Sequence, residues 1–380
     1  MIGIVQAVAK GGCGIVRGED KTVFVPGVIG GETIEFDIQS RQKGTWHGDL
    51  RRIIDPSPYR VEAPCRHYRD CGGCNLQHMS YAEQLRCKEG IFSANLRKIA
   101  GIRHDQPMAV LPSPPFRYRS KIELQVRDGR RGFFRKKTRQ LVAIGQCLLL
   151  SEAAEHFVLE LAPFSGTACA VLQVLDNGID LAARLQDGSG KISWLGPQRT
   201  LSFVFPPYRY RYGPEHFIQA NRCQMPVMLQ LLETHLPANS ATATADLFCG
   251  CGFFTLPLAR RFERVLAMEC DANNLLALRA NLESNRIHNV DVRPENALTA
   301  DLPPLDLVVL DPPRGGLTAA TIVRVVRSGA KKVIYYSCDS ATFARDLRLF
   351  MKQGFCLREL KLIDNFPQTD HFEIFSLLEK

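Results

Sequence analysis

The sequence predicts an α/β chain in three parts. These are a small β-barrel over residues 1–55, a β-rich central domain over 56–215, and a doubly wound domain with a mostly parallel sheet over 216–380. Three observations predict it. Residues 1–55 hold short Val- and Ile-rich runs separated by Gly-rich turns, the pattern of a small barrel. Residues 108–212 alternate in brief β-like runs, with one helical stretch near 151–162. From 216 onward, apolar runs at 243–248, 264–269, 290–293, 305–310 and 332–336 leave room for helices between them.

The elements follow in order. Runs at 2–8, 22–25 and 32–38 are barrel strands, with turns at 11–14 and 27–31. Arg41, Lys43, Arg51 and Arg52 make the barrel ends basic, which suits nucleic acid as well as a purely structural role. Residues 56–78 are irregular and carry three cysteines. A helix is expected over 79–102, with Ser80 as N-cap, Glu83 completing a capping box and Gly101 ending it. It can pack on the C-terminal domain despite its place in the chain. Strands follow at 121–127, 131–135, 141–145, 168–176, 181–185, 192–195 and 201–205. The chain closes on two strands, 355–364 and 371–378, in a hairpin-like ending.

Composition narrows the class. The chain has 380 residues, more than one typical core serves. No apolar stretch is long enough to span a bilayer, and the N-terminus lacks the pattern of a secretory signal. A cytoplasmic protein is expected. Its 13 cysteines are then thiols or metal ligands rather than disulfides. The net charge of +9 favours a polyanionic partner.

The segment Asp246-Leu247-Phe248-Cys249-Gly250-Cys251-Gly252-Phe253-Phe254 follows a strand and opens a helix expected over 255–262. Its glycines let backbone pass close to a ligand. Glu269, ending the next strand, can accept hydrogen bonds from two ribose hydroxyls. A third glycine is missing, and Phe253 or Phe254 stands where a pyrophosphate would approach. A nucleoside without phosphates fits better, and S-adenosylmethionine is such a ligand. Asp311-Pro312-Pro313-Arg314-Gly315-Gly316 ends the fourth strand, where open α/β sheets bind ligands. Amino-group methylases with Asp-Pro-Pro usually place an aromatic residue next. Arg314 stands there and points to a phosphate or base-edge contact.

Cys338 ends the fifth strand in Tyr335-Tyr336-Ser337-Cys338-Asp339, on the same sheet edge. Uracil C5 is a poor nucleophile. Thiolate addition at C6 makes C5 carbanion-like, and a base must later remove the C5 proton. Cys338 is the candidate thiol. Glu373, at the start of the last strand, is the candidate base.

Cys65, Cys71 and Cys74 come from one loop and Cys147 from far along the chain. Structural zinc sites usually use two close pairs, so this asymmetry suits a cubane iron–sulfur cluster. Zinc, or no metal, remains open on spacing alone, and Cys87, His67 and His78 are alternative ligands. Residues 127–139 and 208–212 interleave basic and aromatic side chains, which suits unpaired RNA as well as a solvated hairpin face.

Together the segments 246–259, 311–316, 336–339 and His371-Phe372-Glu373 resemble the RNA uracil-5-methyltransferases, over essentially the whole chain. The resemblance implies a class I (Rossmann-like) methyltransferase domain behind a TRAM/OB-like barrel. It implies Cys338 as nucleophile and Glu373 as general base, with Gln219, Phe248, Glu269, Asn296 and Asp311 contacting S-adenosyl-L-methionine. It implies a [4Fe-4S] cluster on Cys65, Cys71, Cys74 and Cys147, structural in role. The substrate implied is RNA, foremost 23S rRNA, with a flipped or looped uridine, handled by a monomer. Transfer RNA uridine-54, an amino-group methylase and a non-catalytic RNA-binding module are the alternatives. One departure is Phe253, where the family usually has Asn.

Overall fold

The computed structural model describes residues 1–18, 21–42, 44–103, 108–136, 138–161, 169–196, 198–238 and 241–380. Lys43, Lys137 and Ala168, named above, lie outside them.

Five strands open the chain: β1 (Ile2–Ala9), β2 (Cys13–Arg17), β3 (Thr22–Pro26), β4 (Thr33–Gln42) and β5 (Thr45–Asp55). They close into a barrel in the order β1-β2-β3-β5-β4. Val5, Val16, Val23, Val25, Ile34 and Phe36 fill it. Gly14, expected in a turn, lies inside β2. A Cβ there would meet Val28 at 2.3 Å and Val5 at 2.7 Å, so the position is small for packing rather than for a bend.

Helix α1 (Tyr81–Asn95) starts where Ser80 accepts from the Glu83 amide, and it runs into a π-helical turn over Leu96–Ala100. Gly101, at φ 75°, ends it. The helix does pack on the C-terminal domain. Phe92 meets Phe343 and Phe372 at ring separations of 5.7 and 5.8 Å. The short strand β6 (Ala109–Leu111) then joins the edge of the catalytic sheet.

A six-stranded antiparallel sheet forms the central domain. It contains β7 (Lys121–Arg127), β8 (Arg130–Phe134), β9 (Leu141–Ala143), β10 (Cys169–Asp176), β11 (Leu181–Asp187) and β12 (Ile192–Leu195). Helix α2 (Glu152–Glu160) covers its apolar face through Ala154 and Val158.

The ribbon β13 (Leu201–Phe205) and β14 (Tyr208–Tyr212) corrects the sequence reading. The sequence places it in the central domain, and its inward side chains share one core with Met228, Leu232 and Phe254 and with Leu175 and Ala182 of the central sheet. Strict alternation is the reason. Tyr208, Tyr210 and Tyr212 point in and are buried, while Arg209 and Arg211 point out. These tyrosines are core packing and cannot stack on RNA bases.

The remaining elements are α3 (Met225–Thr234), β15 (Ala241–Leu247), α4 (Thr255–Ala259), β16 (Phe262–Met268), α5 (Ala272–Ser284), β17 (Val290–Arg293), β18 (Leu307–Leu310), α6 (Ala319–Arg327), β19 (Lys332–Ser337), α7 (Ser340–Lys352), β20 (Cys356–Ile363) and β21 (Glu373–Glu379). Helix α4 is shorter than the expected 255–262, because Phe262 already begins β16. The sheet order is β17-β16-β15-β18-β19-β21-β20-β6. The first five strands are parallel and β21 inserts antiparallel beside β19. Side chains alternate between the two faces: Val309, Ile334 and Tyr336 meet α3, α4 and the ribbon, and Leu310, Val333 and Tyr335 meet α6, α7 and α1. Strand order reverses between β15 and β18, so a crevice opens at their carboxyl ends.

Candidate active site

The site begins at that crevice. Leu247 pairs with Leu310, which sets Phe248 and Asp311 side by side just past the strand ends. Phe248 has φ 67°, an uncommon value for a bulky residue. Gly252, at φ 90°, lies so close to α5 that a Cβ would meet Leu278 at 2.6 Å. The Gly250 amide donates to Glu269 Oε2 at 3.0 Å. The Cys270 and Asp271 amides donate to Glu269 Oε1 at 2.7 and 2.8 Å. The carboxylate is thus fixed with lone pairs to spare. Gln219, Phe248, Gly250, Phe253, Phe254 and Asp311 line one cavity, with exposed Phe217 at its mouth. Phe253 contributes an apolar wall there, its carbonyl accepting from the Tyr210 hydroxyl at 2.9 Å.

A polar chain leads inward from this cavity. Gln219 Nε2 donates to Asp311 Oδ2 at 3.2 Å, and Asn365 Nδ2 donates to Gln219 Oε1 at 3.3 Å. Asn365 also lies close enough to Glu373 to favour its charged form. Burial pushes Asp311 up to about 7, against the Gln219 bond. Burial, then the Asp311 charge, pushes Glu373 well above the usual carboxylate range, with Asn365 and Arg314 opposing. Glu373 Oε2 and Asn365 Oδ1 are buried and, among the described residues, have no hydrogen-bond partner. Orphaned acceptors of this kind mark a place where a ligand group belongs.

Cys338 follows β19 and precedes Asp339, the N-cap of α7. It is partly exposed, in a gap it shares with Lys10, Ser340, Asp370 and His371. Burial pushes its thiol up to about 12, and Glu373 and Asp311 add to this while Arg314 opposes. Lys10, from the β1–β2 turn of the barrel, pairs with Asp339. The Gly11 amide donates to Asp370 Oδ2 at 2.6 Å, and Asn75 Nδ2 donates to Asp370 Oδ1 at 2.5 Å. The barrel and the cysteine loop therefore both dock on the segment that leads into Glu373.

Cys65, Cys71, Cys74 and Cys147 line a single cavity of about 350 Å³, together with Arg314, Thr369 and His371. Burial pushes Cys71 up to about 11 and Cys74 up to about 12, and the neighbouring sulfurs add to both. Among the described residues, no three His, Cys, Asp or Glu side chains gather on one metal-ion position. Of the alternative ligands, His78 is engaged by the Tyr68 hydroxyl at 2.6 Å and by the Val28 carbonyl at 3.3 Å. Cys87, on α1, packs against the apolar core. His67 stays on the cavity wall and accepts from the Gly145 amide at 3.3 Å.

Asn296 lies three residues past the end of β17. It is exposed, and its side chain accepts from the Leu298 amide at 3.0 Å in a local turn. Asn365 and Asp370 were missed. Their signal was the polar run Asp364-Asn365-Phe366-Pro367-Gln368-Thr369-Asp370-His371, unusual between two apolar strands.

Sequence comparison settles the family. The chain is 32% identical to the 23S rRNA (uracil(1939)-C(5))-methyltransferase RlmD of Pseudomonas entomophila, covering 99% of this chain and 93% of that protein. This chain belongs to the RNA uracil-5-methyltransferase family. The tRNA (Uracil-5-)-methyltransferase family model matches residues 198–300 and 301–380. An uncharacterized RNA methyltransferase of Aquifex aeolicus is 30% identical over 99% of this chain and 97% of its own length. Among solved structures, the Pyrococcus abyssi tRNA (uracil-54, C5)-methyltransferase in complex with S-adenosyl-L-homocysteine superposes with a TM-score of 0.80 at 21% identity, over all of both chains. That likeness confirms the Rossmann-like fold. As a family member the protein is an S-adenosylmethionine-dependent RNA methyltransferase.

Proposed function

We propose that this uracil-5-methyltransferase modifies C5 of a uridine in 23S rRNA, with Cys338 as nucleophile and Glu373 as base. The observation that carries it is the pair itself: a thiol and an orphaned buried carboxyl at the ligand-binding end of a doubly wound sheet. Whole-chain similarity to an enzyme named for 23S rRNA supports that RNA as substrate.

S-adenosylmethionine supplies an electrophilic methyl group. Glu269 would hold the ribose hydroxyls, and the walls of Phe248, Phe253 and Phe254 the apolar parts. Cys338 adds to C6 of the uracil, and C5 becomes nucleophilic. After methyl transfer, Glu373 takes the C5 proton and the C6–S bond breaks, restoring the thiolate. Glu373 must be ionised at that step, and Asn365 and Arg314 favour its charged form. The uridine must leave its stack to reach Cys338. Arg314 lines the cysteine cavity and its charge reaches Cys338, which places it for a phosphate of the target nucleotide.

The four cysteines fit a body larger than one ion. Three cysteines from one loop and a fourth from afar, lining one cavity of about 350 Å³, support a [4Fe-4S] cluster. Its role in this reading is structural, since the chemistry transfers no electrons. The barrel, TRAM-like in this reading, offers Arg41, Arg51 and Arg52 to RNA. The protein works as a cytoplasmic monomer.

The test is incubation with labelled methyl donor and unmodified total RNA, followed by mapping of 5-methyluridine. Label in 23S rRNA supports the reading. Label in transfer RNA alone moves the substrate, and no 5-methyluridine in any RNA refutes the activity.

A further inference from the structure

We infer that the cleft between the α4–β16 turn and the α5–β17 turn is a second RNA contact, gripping the phosphodiester backbone away from the target base. The inference rests on the RNA-methylating reading above and extends it to how a large substrate is held.

The cleft has a volume of about 570 Å³, and Tyr208, Glu233, Arg260, Arg261, Arg286 and His288 line it. All four basic residues are exposed. Among the described residues, no acidic side chain pairs with Arg260, Arg261 or Arg286. Arg260 lies 5.9 Å from the Tyr208 ring centroid. Among the described residues, the one acid lining the cleft, Glu233, accepts the Tyr208 hydroxyl at 2.7 Å. Three arginines against one carboxylate leave the cleft with net positive charge.

The walls are pre-set. Asn289 Nδ2 donates to the Ala259 and Phe262 carbonyls, both at 2.8 Å, and so fixes the turn bearing Arg260 and Arg261. The Arg209 amide donates to Asn285 Oδ1 at 3.0 Å, and Asn285 Nδ2 returns a bond to the Arg209 carbonyl at 2.6 Å. Arg286 sits at φ 55°, with its amide bonded to the Glu283 carbonyl at 3.0 Å.

Cations after helix ends also offset the helix dipole. That role needs no shared cavity, whereas these arginines from two separate turns open onto one. A nucleotide pocket would be enclosed and largely apolar. Exposed cations on a rigid open wall suit a polyanion that passes through.

Position says which part of the RNA is held. β16 runs from Phe262 at the cleft to Met268 beside Glu269, seven residues, or roughly 20 Å. A nucleotide in the active site cannot fill both places, but a stem flanking the target can.

The test uses the full chain with Arg260→Ala, Arg261→Ala and Arg286→Ala combined. None of these residues is in the catalytic machinery. The first readout is affinity for an RNA duplex of about 20 base pairs at several salt concentrations. It should fall about tenfold or more, with the salt slope reduced by about 2. The second readout is steady-state methylation of full-length 23S rRNA and of a short stem–loop carrying the mapped uridine. KM for the long RNA should rise by a like factor, while kcat and the stem–loop KM stay unchanged. Arg-to-Lys at all three positions should restore most of the affinity, since a phosphate contact needs only the charge. If the triple variant fails to fold, Arg261→Glu alone gives the same readouts. Unchanged duplex affinity overturns the inference, as does an equal loss on short and long RNA. Protection of wild-type melting temperature by millimolar inorganic phosphate, lost in the variant with RNA binding intact, would assign the cleft to a small anion instead. If the wild type methylates no RNA, the activity reading fails, and the duplex arm still decides the cleft.

Discussion

Cys338 and Glu373 stand just beyond the end of one antiparallel strand pair. Ser337 on β19 pairs with Ile374 on β21, the last pair of that ladder, so Cys338 and Glu373 are the next residue along each segment. The Glu373 charge reaches the Cys338 thiol and pushes it up. A uracil lying over both would present one carbon to the thiol and the next to the carboxylate. The antiparallel insertion of β21 creates this relationship.

This arrangement separates the two halves of the reaction. Cys338→Ser should form no covalent RNA adduct and should lose methyl transfer by about a thousandfold or more. Glu373→Gln keeps the thiol and should accumulate a methylated protein–RNA adduct that cannot eliminate. Denaturing gel shift with labelled donor reads both. A Glu373→Gln enzyme that turns over normally would assign the base elsewhere.

The pH dependence follows from the thiol. Burial and the nearby carboxylates push Cys338 up to about 12, so near neutrality almost all of it is protonated. The reactive form is the thiolate, so adduct formation on 5-fluorouridine RNA should accelerate as pH rises, by up to about tenfold per unit. Ionisation of Asp311, at about 7, adds negative charge and flattens the rise as the pH passes through that value. Arg314→Ala removes the opposing cation and should slow the adduct at every pH below the thiol's own. Single-turnover rates at saturating RNA give the profile.

The cysteine cavity yields a spectroscopic prediction. Anaerobically purified protein should be brown and carry about four irons per chain. Cys147→Ser should lose the colour and most of the iron while keeping donor affinity by calorimetry, because the donor cavity is separate. Colourless, zinc-bearing wild type would contradict the cluster.

Lys88 and Asp364 form a fully buried ion pair at 2.5 Å, tying α1 to the segment before Glu373. The Tyr81 hydroxyl also donates to Asp364 Oδ2 at 2.8 Å. Lys88→Met leaves Asp364 charged and buried and should cost about 3–5 kcal/mol. Urea unfolding of the catalytic domain measures it. Adding Asp364→Leu should recover most of the loss, because the pair's own net contribution is small.

Much of this was legible in the chain itself. Apolar runs of strand length, separated by helix-length gaps, report βα alternation because burial on both faces leaves no polar positions. The glycine turn, Glu269, Asp311 and Cys338 are read from their places at strand ends, which are local facts. The clustering of Cys65, Cys71, Cys74 and Cys147 in one cavity was also expected from their identity and spacing.

Tertiary structure alone decided the rest. The 208–212 run reads as basic and aromatic in sequence, but only the choice of buried face says that the tyrosines are inside and the arginines outside. Gln219 reaches Asp311 across a long stretch of chain, a contact that local pattern does not show. Asn365 gained its role by reaching Gln219 and Glu373, contacts that local periodicity cannot encode. The sequence determined which chemistry the chain carries, because residue types and strand ends are local. Register and docking determined which of those groups meet, because they depend on surfaces that come together only when distant segments pack.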